Sequence, residues 1–285
     1  MDRIIHKQSV NCKYCNSLNI VRYGTFHGMQ RYFCKHCGRK FADNDALPKM
    51  KTPIWIISLA LNCYYNGMPL AAIQKEINQR HGAYYAQSTI YNWIMRFSEE
   101  AVKQAASLPP VCGDTWFLTA TPVTAGTRRL YFIDIFDRQS KFLITSRLAE
   151  SFTAHEFINL IHPAFLKTIK NPSHPFTIMV PPVFDDTALE LITAGTGLPA
   201  NCIINKANLT IVKEFNSPLK KRAGVVRNFK SLERAQIITE AWRIHYNYFV
   251  DCDKPKYHRA AEQTGLSPFR NWEDVICQSV QLTPG

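Results

Sequence analysis

Between residues 52 and 106 the apolar positions recur with a helical period. Ile54, Ile57, Leu61 and Tyr64 share one face of a helix that ends at Asn66-Gly67. Leu70, Ile73 and Ile77 share the face of a second, which stops near His81-Gly82. A third opens at Ser88, with Ile90, Ile94 and Phe97 inward and Gln87, Thr89, Tyr91, Asn92 and Arg96 on the other face. Thr52-Pro53 ahead of the first helix supplies an N-cap and a proline at the first helical position. Three short helices with a polar-faced third read as a helix-turn-helix, with Trp93 in its core. Upstream, Ile20-Val21-Arg22-Tyr23-Gly24 and Gln30-Arg31-Tyr32-Phe33 alternate like a short hairpin.

Beyond the joint at Pro109-Pro110 the period changes. Strand-like runs cover Thr115–Ala120, Arg129–Ile135 and Phe142–Ser146. Thr153-Ala154-His155-Glu156 is a capping box for a helix that carries Phe157, Ile161 and Phe165. Then come a strand at Phe176–Val180, a helix around Asp186–Thr193 and a strand at Asn201–Asn205. A basic segment follows, then a long helix with Leu232, Ala235, Ile238, Trp242 and Phe249. Three strands followed by alternating helix and strand predict an α/β domain with a mixed sheet. The expected division is 1–46, 52–106 and 111–285.

Charge narrows the partners. The chain of 285 residues carries a formal net charge of +12, and residues 1–51 hold ten Lys and Arg against three Asp. So uneven an excess favours a polyanion, above all nucleic acid. No apolar run reaches the roughly 18 residues that span a bilayer, and the early charges are followed by no apolar h-region. Membrane and secreted readings are disfavoured on both counts.

Four of the nine cysteines form two pairs, Cys12-Lys-Tyr-Cys15 and Cys34-Lys-His-Cys37, with 18 residues between them. That spacing supplies four thiolates for one tetrahedral structural zinc. Gly38 follows the second pair where the chain must turn back. So small a segment buries little core, and the metal would supply much of its folding free energy. Cys63, Cys112, Cys202, Cys252 and Cys277 are scattered in apolar contexts and read as buried small hydrophobes in a reducing compartment.

The order of these elements resembles that of prokaryotic insertion-sequence transposases of the DDE type. In these a zinc ribbon and a helix-turn-helix precede a catalytic domain of ribonuclease H fold. Gln30–Phe41 resembles their ribbon, and Gly67-Met68-Pro69-Leu70 with Ser88–Trp93 resembles their helix-turn-helix. Phe136–Ser140 is similar to the turn between their second and third strands. Leu219–Arg222 with Asn228–Ser231 is similar to their basic stretch, and Thr264–Pro268 to their C-terminal signature. The resemblance implies duplex DNA as partner, with Arg31, Lys35, Arg39, Lys40, Gln87, Thr89, Tyr91, Asn92, Arg96, Lys220, Lys221, Arg222, Arg227 and Lys230 as contacts. It also implies a homodimer, an inverted-repeat target if that dimer is two-fold, and a cytoplasmic, nucleoid-associated location.

The family holds two divalent metals with two Asp and one Glu, and here the pattern breaks. Asp114 is the counterpart of the first carboxylate, but Pro181 stands at the second position and Lys213 at the third. A lysine in place of a glutamate changes the local charge by two units. At ~4 Å and an effective dielectric near 20 each unit pair is worth about 4 kcal/mol, which opposes metal entry. The resemblance therefore implies a catalytically inactive, regulatory DNA-binding protein with one structural zinc and no catalytic magnesium. The alternative is an active transposase with relocated ligands, Asp185 or Asp186 for the second and Glu214 for the third. An ion pair of Lys213 with Asp114, in the space the metals would fill, is a further expectation.

Overall fold

A computed structural model describes residues 10–26, 28–125, 127–168, 176–198, 202–207, 231–254 and 257–281. The N-terminal part is a three-stranded antiparallel sheet of β1 (Ile20–Phe26), β2 (Met29–Cys34) and β3 (Lys40–Ala42). Its core is small: Cys12, Cys34 and Phe41 are buried, with Ile20, Tyr32 and Cys37 packed against them. Helices α1 (Ile54–Tyr65), α2 (Leu70–His81) and α3 (Gln87–Ala106) follow. α2 stops at Gly82, which takes the left-handed conformation (φ 62°) that glycine adopts without cost.

Two helix starts differ by one residue from the sequence expectation. α1 begins at Ile54 with Pro53, not Thr52, at the N-cap, and α3 begins at Gln87 after Ala86. Neither uses a side-chain cap. The carbonyl of Ala86 instead accepts from Thr89 and Ile90, so the backbone alone closes the first turn. Trp93 is buried, with its ring edge-on to Tyr85 at 4.8 Å.

The remainder is an α/β layer. Strands β4 (Thr115–Ala125), β5 (Arg128–Asp137) and β6 (Leu143–Ala149) pair antiparallel as a meander. After α4 (Ala154–Leu166), β7 (Phe176–Val180) runs parallel to β4. After α5 (Asp186–Gly195), β8 (Cys202–Lys206) runs parallel to β7. The strand order is β6-β5-β4-β7-β8. Three antiparallel strands extended by two parallel ones through helical crossovers make this a ribonuclease H-like mixed sheet. Thr153 caps α4 as the capping box requires, accepting from the Glu156 N–H. β4 runs five residues past the expected Ala120. Pro122 is tolerated there because only β5 pairs with that stretch, β7 having left β4 after Phe117.

α4 covers one face of the sheet, where Phe165 meets Trp116 (6.4 Å) and Phe176 (5.6 Å). α6 (Leu232–Phe249) lies along β6, the edge strand, and sets Tyr246 against Phe136. Two amides of α6 do what a sixth strand would. Asn247 Oδ1 accepts from the Leu143 N–H and its Nδ2 donates to the Leu143 carbonyl, both at 2.9 Å. Gln236 Oε1 accepts from the Leu148 N–H (2.7 Å) and its Nε2 donates to the Ser146 carbonyl (3.2 Å). The two repeats match in length. Eleven helical residues rise about 16 Å, and five strand residues span about the same. One helix face therefore meets the strand edge at both ends.

α6 also carries the joint to the helices. It packs on α3, while α8 (Trp272–Gln281) packs on α1 and α3. Tyr65 of α1 stacks on Trp272 (5.0 Å) and on His245 of α6 (5.7 Å). The Tyr65 hydroxyl donates to Ser98 Oγ at 2.5 Å, which in turn donates to the Ile94 carbonyl. The buried residues of α1, α2, α3 and the α/β layer thus form one continuous hydrophobic cluster, separate from that of the ribbon. The C-terminal part is completed by the short hairpin β9 (Asp251–Lys254) and β10 (Tyr257–Arg259), and by α7 (Ala260–Gln263).

Two stability outcomes follow from α6. Asn247→Ala leaves the buried Leu143 N–H and C=O unsatisfied and costs about 2–6 kcal/mol in urea unfolding, at ~1–3 kcal/mol per group. His245 accepts at Nδ1 from Trp272 Nε1 (3.4 Å), and burial depresses its pKa from 6.5 to about 4. The unfolded chain then binds the proton first. The stability is present in full above pH 6.5 and is lost as the pH falls toward 4, by about 3 kcal/mol in all. Urea midpoints measured across that window decline in the wild type and stay flatter in His245→Phe.

Candidate metal centre and nucleic-acid interface

The two cysteine pairs sit on matching turns. Cys12 N–H donates to the Ser17 carbonyl and Asn16 N–H to the Cys12 carbonyl; Cys34 N–H donates to the Arg39 carbonyl and Gly38 N–H to the Cys34 carbonyl. The residue after each pair is left-handed, Asn16 at φ 58° and Gly38 at φ 70°. Asn is the side-chain-bearing residue that best tolerates this conformation, so it serves where glycine serves in the second turn. The four Sγ atoms lie within 4.8 Å of one another, with Cys12–Cys37 and Cys15–Cys34 both at 3.6 Å. A tetrahedron with Zn–S bonds of about 2.3 Å has edges of about 3.8 Å, so the set fits zinc. A disulfide would require about 2.05 Å, and all four thiols are free. The N–H groups of Cys37 and His36 point at Cys34 Sγ and lower its pKa, whereas burial raises that of Cys12. Lys13 braces the first turn by donating to the Asn44 side chain and to the carbonyls of Asn44 and Ala46.

Of the ribbon cations, Lys35, Arg39 and Lys40 are exposed and Arg31 is half-buried. Three of them lie over tyrosines: Arg39 over Tyr14 (5.0 Å), Arg31 over Tyr23 (5.8 Å) and Lys40 over Tyr23 (3.9 Å). Among the described residues the three strands of this sheet contain no acidic side chain.

On α3 the expected contacts do not form a single row. Asn92 and Arg96 are exposed and one turn apart, and exposed Ser88 lies one turn earlier on the same stripe. Sequence reasoning used Ser88 only to start the helix. Thr89 borders this stripe and is half-buried. Gln87 is exposed, and Tyr91 is half-buried on the side facing Tyr64. Arg96 also reaches Met50 Sδ (3.6 Å) and lies over Phe97 (5.1 Å).

In the α/β layer the sheet register decides what meets what. Asp114 directly precedes β4, and its carbonyl accepts from the Thr177 N–H, at the start of β7. Pro181 follows the other end of β7. Five residues along a strand separate their levels by about 16 Å, so the expected pairing of Asp114 with Pro181 is not formed. Thr115 is level with Thr177 and Phe117 with Met179, the last paired residues, and two positions further along the two chains come Thr119 and Pro181. Thr119 is fully buried and pairs across the sheet with buried Asp134, which accepts from Ser146 Oγ at 2.6 Å. Asp114 is exposed, and its carboxylate accepts a local bond from Thr115 Oγ1 (3.1 Å). Asp137 is buried and accepts from the N–H groups of Gly113 (2.9 Å) and Ser140 (2.8 Å), locking the β5–β6 turn.

Asp185 is the N-cap of α5, accepting from the Ala188 N–H at 2.8 Å. Asp186 pairs with Lys206 at 2.8 Å, and that hydrogen bond and charge lower its pKa. Lys213, Glu214, Lys220, Lys221, Arg222, Arg227 and Lys230 lie outside the described residues. No helix among the described residues is long and apolar enough to cross a membrane.

The metal centre makes a direct prediction. The zinc-loaded chain is expected to hold one zinc by elemental analysis, and Cys37→Ser to lose it. Because the ribbon core is separate from the main cluster, chelation should open the ribbon to protease while the rest resists.

No protein-family model matches the chain, and no curated protein matches it. Solved structures do. One is the HTLV-2 integrase catalytic core domain in complex with magnesium, in a trimeric form; it is 17% identical, with 55% of this chain and 97% of that chain covered and a TM-score of 0.35. Another is the simian T-cell lymphotropic virus intasome in complex with the PP2A regulatory subunit B56 gamma; it is 15% identical, with 74% and 75% covered and a TM-score of 0.40. Both overlaps are low. What places the sheet in the ribonuclease H-like class is its own strand order and strand directions.

Proposed function

We propose that this chain is a transposase-derived protein that binds duplex DNA in a sequence-specific, regulatory role and no longer cleaves it. The carrying observation is the parallel register of β4 and β7, paired from Thr115–Thr177 to Phe117–Met179. A two-metal site needs carboxylates on neighbouring strands, a few ångströms apart. Two positions beyond the last paired residues come Thr119 on one strand and Pro181 on the other, and neither is an acid. In this reading Thr119, not Asp114, stands at the position of the first carboxylate. The nearby acids have other partners: Asp185 caps α5, Asp186 pairs with Lys206, and Asp134 is buried against Ser146. The relocated-ligand alternative gains nothing from these contacts.

DNA binding is supported by the net charge, the acid-free ribbon sheet and the exposed stripe of α3. Asn92 and Arg96 suit purine edges in the major groove, while Arg31, Lys35, Arg39 and Lys40 suit phosphates. The working division is a ribbon over 1–46, a helix-turn-helix over 52–106 and a degenerate nuclease-like layer over 111–285. The zinc is structural, since four thiolates leave it no open position. The layer serves as scaffold and as the surface of a homodimer, whose two-fold axis would demand an inverted-repeat target.

The test is selection of bound fragments from a random duplex pool, with zinc retained and magnesium or manganese present. The expected outcome is an enriched motif on uncut DNA, with affinity falling steeply as salt rises. Arg96→Ala should weaken binding to that motif by about 1–3 kcal/mol and relax one position of it. Metal-dependent nicked or joined products would overturn the inactive reading. Binding with no salt dependence would overturn the DNA reading itself.

A further inference from the structure

The ribbon sheet has two faces, and only one is used by its own core. Ile20, Tyr32, Cys34 and Phe41 point inward to the cysteine cluster, with Tyr32 and Phe41 stacked at 5.6 Å. The alternate residues face outward. Val21 is level with Phe33, Phe33 with Lys40, and Phe26 with Met29, which puts all five on the outer face with Arg31. Tyr23, two residues after Val21, takes the same side by ordinary alternation, and the register shift between Arg22 and Thr25, at Gly24 (φ 90°), is what brings Phe26 there as well. Tyr23 lies 6.5 Å from Phe33, tilted by 41°.

This face is apolar and exposed to a degree unusual for so small a unit. Val21 is 37% exposed, Tyr23 47%, Phe26 63% and Met29 39%. Lys40 and Arg31 lie at 3.9 and 5.8 Å from the Tyr23 ring centroid, so the aromatic row is set among cations. Contiguous exposed apolar surface marks an interaction site.

Charge selects the occupant. A second copy of this chain would bring the same cations against themselves, with no acidic group on the three strands to offset them. Duplex DNA offers phosphates and groove edges, which engage the lysine and arginines but leave the aromatic row without a function. Unpaired nucleotides offer both a phosphate chain and open base faces. Stacking on aromatic side chains between cations is the general means of holding them.

We propose that the outer face of the ribbon sheet is a stacking platform for unpaired bases, centred on Tyr23 and Phe33, with Lys40 and Arg31 holding the adjoining phosphates. This deepens and rests on the DNA-binding reading above: the ribbon engages DNA where the helix is open, and α3 engages it where it is closed.

The experiment uses the full zinc-loaded chain and fluorescence anisotropy. Three labelled probes are compared at one salt concentration: a duplex, the same duplex with an internal unpaired bubble, and the single strand. The bubble is expected to bind about tenfold tighter than the duplex, the lower range of one base–aromatic stack. Tyr23→Ala should remove that preference while duplex binding and zinc content persist, and Tyr23→Trp should restore it. Equal affinity for duplex and bubble overturns this inference and leaves the DNA-binding reading standing. A preference that survives both Tyr23→Ala and Phe33→Ser overturns it as well. Binding to none of the probes sinks both readings together.

Discussion

The structure depends on how the open edge of β6 is closed. An edge strand presents a row of unpaired N–H and C=O groups, which cost free energy if buried and invite foreign pairing if exposed. α6 meets this constraint with Asn247 at one end of the strand and Gln236 near the other. Once the helix is held there, its remaining faces are committed. One sets Trp242 and Tyr246 toward the sheet side and another packs α3. His245 is then buried between Tyr65 and Trp272 and must stay neutral. Helices α1, α2 and α3 and the sheet consequently share one hydrophobic core. A change in the packing of α6 is felt at α3.

The ribbon follows a different logic. With three buried core residues, Cys12, Cys34 and Phe41, hydrophobic burial is far too small to order the segment. Four converging thiols are placed so that a metal held by them would supply the deficit. A consequence is that the ribbon has no need to bury its outer sheet face, and its aromatic residues remain available there.

Much of this was legible along the chain. The 3.6-residue period located α1, α2, α3 and α6, and Thr153 with Glu156 located the start of α4. The Cys-x-x-Cys spacing anticipated the cluster that the four Sγ atoms form. The misses were of two kinds. Ends shifted by a residue where backbone carbonyls, such as that of Ala86, did the capping in place of side chains. The contributions of Asn16 and Lys13 went unread because no spacing rule distinguishes them from other turn residues.

The sequence by itself determined the local elements, the metal set and the excess of positive charge, because each rests on residues a few positions apart or on composition alone. Tertiary structure decided the register. Asp114 looks like a site carboxylate because an acid just before a strand suits the pattern, yet the parallel pairing of Thr115 with Thr177 moves it to the far end of β7. Which level of β4 meets which level of β7 depends on packing between strands some sixty positions apart, and no mark in the sequence announces it. The outer face of the ribbon is decided in the same way. A one-residue slip would exchange its aromatic row for the inner one, and the bulge at Gly24 sets which side Phe26 takes. Periodicity says that a strand has two faces; only the packed structure says which one the core has already claimed.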